Sequence, residues 1–361
     1  LSSNSAKVTT LDASVITGGA LITTAGHTGA LTVPGSAAKD TFTVNAVGTN
    51  GTTTINGGGG VDTYSGTAAN LSAATIDGGA GDNVVNFTDT ATAGNTLTYS
   101  DVDVNGMSNV HTLGWTSAIA GDLTVTLGGW ANALASGISD NQLKISAKAL
   151  ASGAGANDVT INAAQLTGSN SVEMDIKDDD ANTSAVGDFV LTGSDNADKI
   201  TAEQAAASSD NTITINGGKG NDTLTVKTTG TQAGAIDVDG GDGDDTISVK
   251  DATTDAAVTA NDITGGKGND TITLSSEAAS DWSVVAGSTA ANNGLDSITN
   301  FTQGSGGDSF DAETWNGGAF VALNAYTSAP GSAVNVEGDV TSLVDVTGGQ
   351  DITTAAGLDA A

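Results

Sequence analysis

The chain of 361 residues has no cysteine, no arginine, two prolines (Pro34 and Pro330) and only 4% aromatic residues. Without cysteine, stability owes nothing to disulfides, and thiol usage gives no redox compartment. Without arginine, every one of the ten basic residues is a lysine, and the formal net charge is −32. That balance argues against nucleic-acid binding, which needs basic patches. No long apolar run exists, so no transmembrane helix or membrane insertion is expected. Aromatics are too few for a large aromatic core, and Thr, Ser, Val and Ile, which suit strands, take their place. The chain opens on Leu1 and holds only Met107 and Met174. It is expected to be a processed product or a segment of something longer, with no visible charged-then-apolar signal peptide.

Glycine and aspartate are abundant instead. There are 50 glycines, and of the 42 acidic residues only Glu173, Glu203, Glu277, Glu313 and Glu337 are glutamate. Acidic chains with few aromatics are often disordered. Here the acids recur in a fixed frame between apolar segments, which disorder would not require. Short carboxylates held in turns are where hard, oxygen-seeking cations bind.

The frame is clearest in GGGGVDTYS (57–65), GGKGNDTLT (217–225), GGDGDDTIS (240–248) and GGKGNDTIT (265–273). A weaker set shares it: GSAAKDTFT (35–43), GGAGDNVVN (78–86), GSDNADKIT (193–201) and QGSGGDSFD (303–311). An apolar residue lies two positions before each start, from Val33 and Ile55 to Ile263 and Phe301. Another lies at the eighth position, from Phe42 and Tyr64 to Ile272 and Phe310. Successive starts fall 21 to 25 residues apart within a block, and the segments between turns alternate with period two, as in Thr212-Ile213-Thr214-Ile215. Such a period points to a solenoid, one coil of which needs about that length at ~3.3 Å per residue. The expectation is an all-β fold: a right-handed parallel β-helix or β-roll-like solenoid, its glycine turns stacked on one edge.

Four segments follow. Residues 1–86 form a first solenoid block, 87–192 a degenerate β-rich middle, 193–311 a second block and 312–361 a further β-rich piece. In the middle, Ile145–Leu150 and Ile161–Leu166 share a pattern with Leu11–Ile16: an apolar residue, a small polar one, alanine, two loose positions and an apolar residue. The stretch from Trp115 to Leu134 is compatible with either more coil or a short helix.

A Gly-Gly-x-Gly-x-Asp turn takes positive φ without a Cβ clash and aims carbonyls inward, beside the sixth-position carboxylate. Ca²⁺ takes about six to eight oxygens at ~2.3–2.6 Å. One turn supplies about three, so each ion is expected between neighbouring coils, in one column along one edge. The candidate ligands are Gly57, Gly58, Gly60 and Asp62 in the first block. In the second they are Gly217, Gly218, Gly220 and Asp222, then Gly240, Gly241, Gly243 and Asp245, then Gly265, Gly266, Gly268 and Asp270. The weaker turns add Asp40, then Gly79, Gly81, Asp82 and Asn83, then Asp195 and Asp198, and last Asp308. Lys219 and Lys267 fall at the free third position, which is expected to face solvent. Two carboxylates ~5 Å apart repel by roughly 0.8 kcal/mol in water. Metal-free coils should therefore be poorly stable, with folding coupled to Ca²⁺. The competing explanation of each turn is a plain glycine turn with a solvated or capping aspartate.

Other chemistry is sparse. His27 and His111 are the only histidines, and neither an HExxH nor a G-x-S-x-G motif occurs. Asp178-Asp179-Asp180 resembles a solvated loop more than an ion site. Trp115, Trp130, Trp282 and Trp315 are too scattered for a sugar-binding platform.

The four clear nonapeptides resemble the RTX family of type I-secreted bacterial proteins, whose repeat binds Ca²⁺ in β-helices. Asp296-Ser297-Ile298-Thr299-Asn300-Phe301, running into Gly307–Asp311, is similar to the segment that often closes an RTX array. The composition resembles RTX-bearing S-layer proteins of Gram-negative bacteria. The motifs here are single rather than tandem, a departure from the family's usual roll. The resemblance implies export in unfolded form, folding outside the cell where Ca²⁺ is millimolar, and several bound ions. A secreted or cell-surface protein is then expected, and since strand-rich coils with exposed edges favour repetition and nothing catalytic competes, a non-enzymatic structural protein that assembles with itself into a layer, sheet or filament. Alternatives are a calcium-dependent stalk or ligand-binding module of an adhesin, in contact with cell-surface polysaccharide, and, remotely, a β-helix polysaccharide lyase.

Overall fold

In the computed structural model the structure describes residues 1–3, 7–25, 29–45, 52–92, 94–116, 119, 121–147, 158–177, 187–204, 211–228, 235–251, 261–275, 282–285, 296–300, 309–311, 322–323 and 336–337. The chain is a β-solenoid. Strands of two to seven residues alternate between sheets, and each strand pairs in parallel with one from the following coil. Two compact units are present: Leu1–Ala149 with Ile161–Ile176, and Leu150–Thr160 with Lys177–Ala361.

In the first unit one sheet runs through Leu21–Thr24, Thr41–Val44, Thr63–Gly66, Val84–Phe87, Thr112–Trp115 and Gln142–Ala147. A second runs through Leu31–Pro34, Thr53–Asn56, Ala74–Asp77 and Met107–Ser108. In the second unit one sheet orders Lys199–Gln204, Thr223–Thr228, Thr246–Asp251, Thr271–Thr273 and Ser297–Thr299. The facing sheet orders Phe189–Thr192, Ile213–Lys219, Ile236–Asp242, Asn261–Lys267 and Trp282–Val285.

Because every coil repeats the same register, like positions stack. Ile22, Phe42, Tyr64, Val85 and Leu113 are consecutive partners and all are buried. Phe42 and Tyr64 lie face to face, with ring centroids 4.8 Å apart. In the second unit Ile200, Leu224, Ile247, Ile272 and Ile298 do the same. Among the described residues the apolar positions flanking the motifs thus form the core, and the alternate Thr and Ser residues line the outer face.

The middle segment departs from a plain coil. Thr112–Trp115 and Asp122–Thr126 are strands, and the short helix lies beyond them at Gly129–Ser136. Two further helices, Ala68–Ser72 and Asp101–Val104, were not legible from periodicity, being a single turn each. Thr67 caps the first, and Ser100 with Asp103 forms a capping box on the second. Asp101 Oδ1 accepts the N–H groups of Gly128 and Ala131 at the start of the third helix. Trp115 packs against Phe87 and Tyr99 as core. Among the described residues no helix is long and apolar enough to cross a membrane.

Candidate metal centre

The sixth residue of each described glycine turn points inward. Asp40, Asp62 and Asn83 are buried in the first unit, and Asp198, Asp222, Asp245 and Asp270 in the second. They form hydrogen-bonded ladders. The N–H of Asp40 donates to Oδ1 of Asp62 at 2.7 Å, and that of Asp62 to Oδ1 of Asn83 at 2.9 Å. In the second unit Asp198 donates to Asp222 at 2.7 Å, Asp222 to Asp245 at 2.7 Å and Asp245 to Asp270 at 2.8 Å. The ladders extend one rung past the motif in each unit. Asn83 N–H meets Nδ1 of His111 at 3.2 Å, and Asp270 N–H meets Oδ1 of Asp296 at 2.9 Å.

The second carboxylate oxygen divides the turns into two classes. Oδ2 of Asp62, Asp222, Asp245 and Asp270 is buried with no hydrogen-bond donor. These four belong to the four turns that match Gly-Gly-x-Gly-x-Asp in full. The degenerate turns satisfy the group internally. Ser36 donates its N–H to Oδ2 of Asp40 at 2.6 Å and its hydroxyl to Oδ1 at 3.0 Å. Ser194 N–H donates to Oδ2 of Asp198, and its hydroxyl lies 3.0 Å from Oδ1. Asn83 replaces the oxygen by an amide that donates to the carbonyl of Asn109 at 2.9 Å.

The glycines create this environment. A Cβ on Gly217 would stand 2.4 Å from both Oδ2 of Asp222 and the carbonyl oxygen of Gly240. On Gly240 it would stand 2.4 Å from Oδ2 of Asp245 and 2.3 Å from the carbonyl oxygen of Gly265. At Gly217 and Gly240 a carboxylate oxygen and a carbonyl oxygen of the next rung thus converge beside the first glycine; at Gly57 the Tyr64 hydroxyl joins the Asp62 carboxylate and the Gly78 carbonyl, and at Gly265 the neighbour is the Asp270 carboxylate. The second and fourth glycines hold φ values of +105° at both Gly218 and Gly220, a conformation side chains rarely tolerate.

Burial pushes these carboxyls up. Asp222 is raised to about 8, first by desolvation and then by the charges of Asp198 and Asp245. Asp62 and Asp245 are raised to about 6, again chiefly by burial, and Asp270 moves the same way. A buried anion without a partner is costly, so each group requires either a proton or a cation.

Two candidate ligands stand apart from the ladders. Asp82 is exposed and lies 3.7 Å from Nε2 of His111. Asp195 is exposed at the third position, where Lys219 reaches it across 2.6 Å. Lys267 pairs likewise with Asp242. The lysines face solvent as expected, but the rows alternate in sign, so each lysine finds an aspartate on the previous rung. Asp308, Phe301, His27 and the run at 178–180 lie outside the described residues.

Sequence reasoning missed Ser36, Ser194, His111 and the rung at Asp296. For Asp296 a signal existed: Asp-Ser-Ile-Thr repeats the Asp-Thr-Ile-Thr after Asp270. An outer ladder at the fifth position was also missed. There Asp244 N–H donates to Asn221 at 3.0 Å, and Asn269 N–H to Asp244 at 2.8 Å.

The donors are carboxylate and main-chain carbonyl oxygens, the set that suits a hard divalent cation. Among the described residues no three acidic or histidine side chains converge on one point. Carbonyls must therefore complete any coordination shell. No protein-family model, curated protein or solved structure matches the chain.

Proposed function

We propose that this chain is an extracellular structural protein whose coils are tied by Ca²⁺, and that it assembles with copies of itself into a surface layer, sheet or filament. One observation carries the reading: the four turns with the full glycine motif are the four whose buried aspartate has an unpartnered oxygen. Oδ2 of Asp62, Asp222, Asp245 and Asp270 would hold the ions, joined by glycine carbonyls of the adjoining rung. A bound cation would supply neutralising charge and a bridge between coils, so that binding and folding are linked.

The architecture supports self-assembly. A parallel coil stack, unlike a barrel, has no closed edge, and unpaired N–H and C=O groups are templates for another chain. We read the protein as non-enzymatic, secreted and acting through its shape.

The test is imaging by electron microscopy together with circular dichroism, in millimolar Ca²⁺ and in excess chelator. The expected result is ordered assemblies and a strong β signal with Ca²⁺, the assemblies lost and the β signal weakened on chelation. A β signal indifferent to chelator would sink the calcium reading. A calcium-folded monomer would instead favour the stalk or ligand-binding module of an adhesin.

A further inference from the structure

The two serine turns differ from the full-motif turns at the second residue, and the difference has a geometric cause. In a full-motif turn the second glycine has positive φ: +91° at Gly58, +105° at Gly218, +103° at Gly241 and +104° at Gly266. Its N–H then turns outward. Gly58 donates to Oδ1 of Asn56 at 2.9 Å, and Gly241 to the Asp239 carboxylate. Ser36 and Ser194 do not have positive φ. Their N–H groups turn inward, onto the sixth-position aspartate.

We infer that the second residue of each turn decides who satisfies the buried aspartate: serine assigns it to the protein, and glycine to a cation. The Ser36 and Ser194 turns are then ion-free caps, each placed at the start of its ladder. Asn83 is a second ion-free device at the far side of the first ladder, its amide standing where a cation would bridge to the next carbonyl. Among the described turns the ions number four: one at Asp62, enclosed between Asp40 and Asn83, and three in succession at Asp222, Asp245 and Asp270.

This rests on the calcium reading, and the arrangement of sites is specific enough to fail separately from it. The experiment is calcium stoichiometry on the full chain by equilibrium dialysis with metal analysis, alongside calorimetric titration. Asp222→Asn is expected to bind one ion fewer than the native chain, and Asp198→Asn the same number. Both substitutions are nearly isosteric: Asp222→Asn keeps the Oδ1 that accepts the Asp198 N–H, and Asp198→Asn keeps the Oδ1 that accepts the Ser194 hydroxyl. Ser194→Gly combined with Asn196→Gly restores the full motif and is expected to bind one ion more. If the native chain binds no Ca²⁺, the calcium reading falls and this inference with it. If it binds Ca²⁺ but Asp198→Asn loses an ion as Asp222→Asn does, or the double glycine variant gains none, the inference about the second residue is overturned while the calcium reading stands.

Discussion

Asp222 donates its main-chain N–H to Oδ1 of Asp245, 2.7 Å away on the next rung, while Oδ2 of Asp245 meets no donor at all. Half of each carboxylate is thus structural and half is unsatisfied. The ladder bond fixes the side chain's direction, and the bare oxygen is the group left open to a proton or a cation. Four predictions follow from that division and from the packing around it.

The metal-free protein should lose stability as pH rises. Asp222 is raised to about 8 and Asp62 and Asp245 to about 6, from an ordinary 3.8. Between 3.8 and those values the folded chain holds protons that the unfolded chain has released. Folding is therefore favoured at the acid end, and that contribution fades from about pH 4 to about pH 8. Urea midpoints in chelator should be higher at pH 5 than at pH 8. Millimolar Ca²⁺ should flatten or reverse the trend, because it binds the ionised form. An unchanged midpoint across this range in chelator would contradict the assignment.

Asp222→Asn should stabilise the metal-free protein while removing the benefit of calcium at that rung. Asn83 shows how: its Oδ1 accepts the ladder N–H and its amide donates to the next carbonyl. Relieving one buried unsatisfied acceptor is worth about 1–3 kcal/mol. Chemical denaturation with and without Ca²⁺ measures both effects. Destabilisation in chelator would show that the amide finds no partner there.

Gly217→Ala should cost about 1–3 kcal/mol or more, since its methyl would press on the Asp222 carboxylate and the Gly240 carbonyl. Gly59→Ala is the control: the nearest atom to its Cβ would be 3.6 Å away and its φ is not positive. Thermal melts should separate the two clearly. Equal losses would mean that backbone entropy rather than crowding governs these glycines.

Lys219→Asp should weaken the second unit in low salt only. It would place acidic side chains at 195, 219 and 242 on consecutive rungs in place of an alternating row. Both partners of the Lys219–Asp195 pair are more than half exposed, so the loss should be small and should vanish at high ionic strength. A salt-independent loss would indicate that the side chain packs rather than pairs.

Much of the architecture was legible because a solenoid writes one coil's constraints repeatedly. The apolar residues at Ile215, Leu224, Val238 and Ile247 recur at a fixed offset from each turn, and register does the rest. Single-turn helices at 68–72 and 101–104 escaped notice because four or five residues cannot display a 3.6-residue period. Their caps, Thr67 and Ser100 with Asp103, were the available signal. Asp82 and Asp195 stand outside the ladders: Asp82 directly precedes the ladder residue Asn83 and Asp195 lies three residues before Asp198, and both side chains are exposed in the turn.

The sequence alone determined the coil, its period, its stacked core and the places where only glycine fits, because each follows from residue type at a repeated spacing. Only the tertiary structure decided how the aspartates are used. It turned them inward, bonded each to the previous rung, and separated Asp40 and Asp198, closed by serine, from Asp62, Asp222, Asp245 and Asp270, left open. The physical reason is that satisfaction of a buried oxygen depends on where a neighbouring N–H points. That direction is set by the sign of one φ angle and by contact with a coil some twenty residues away, not by the identity of the aspartate itself.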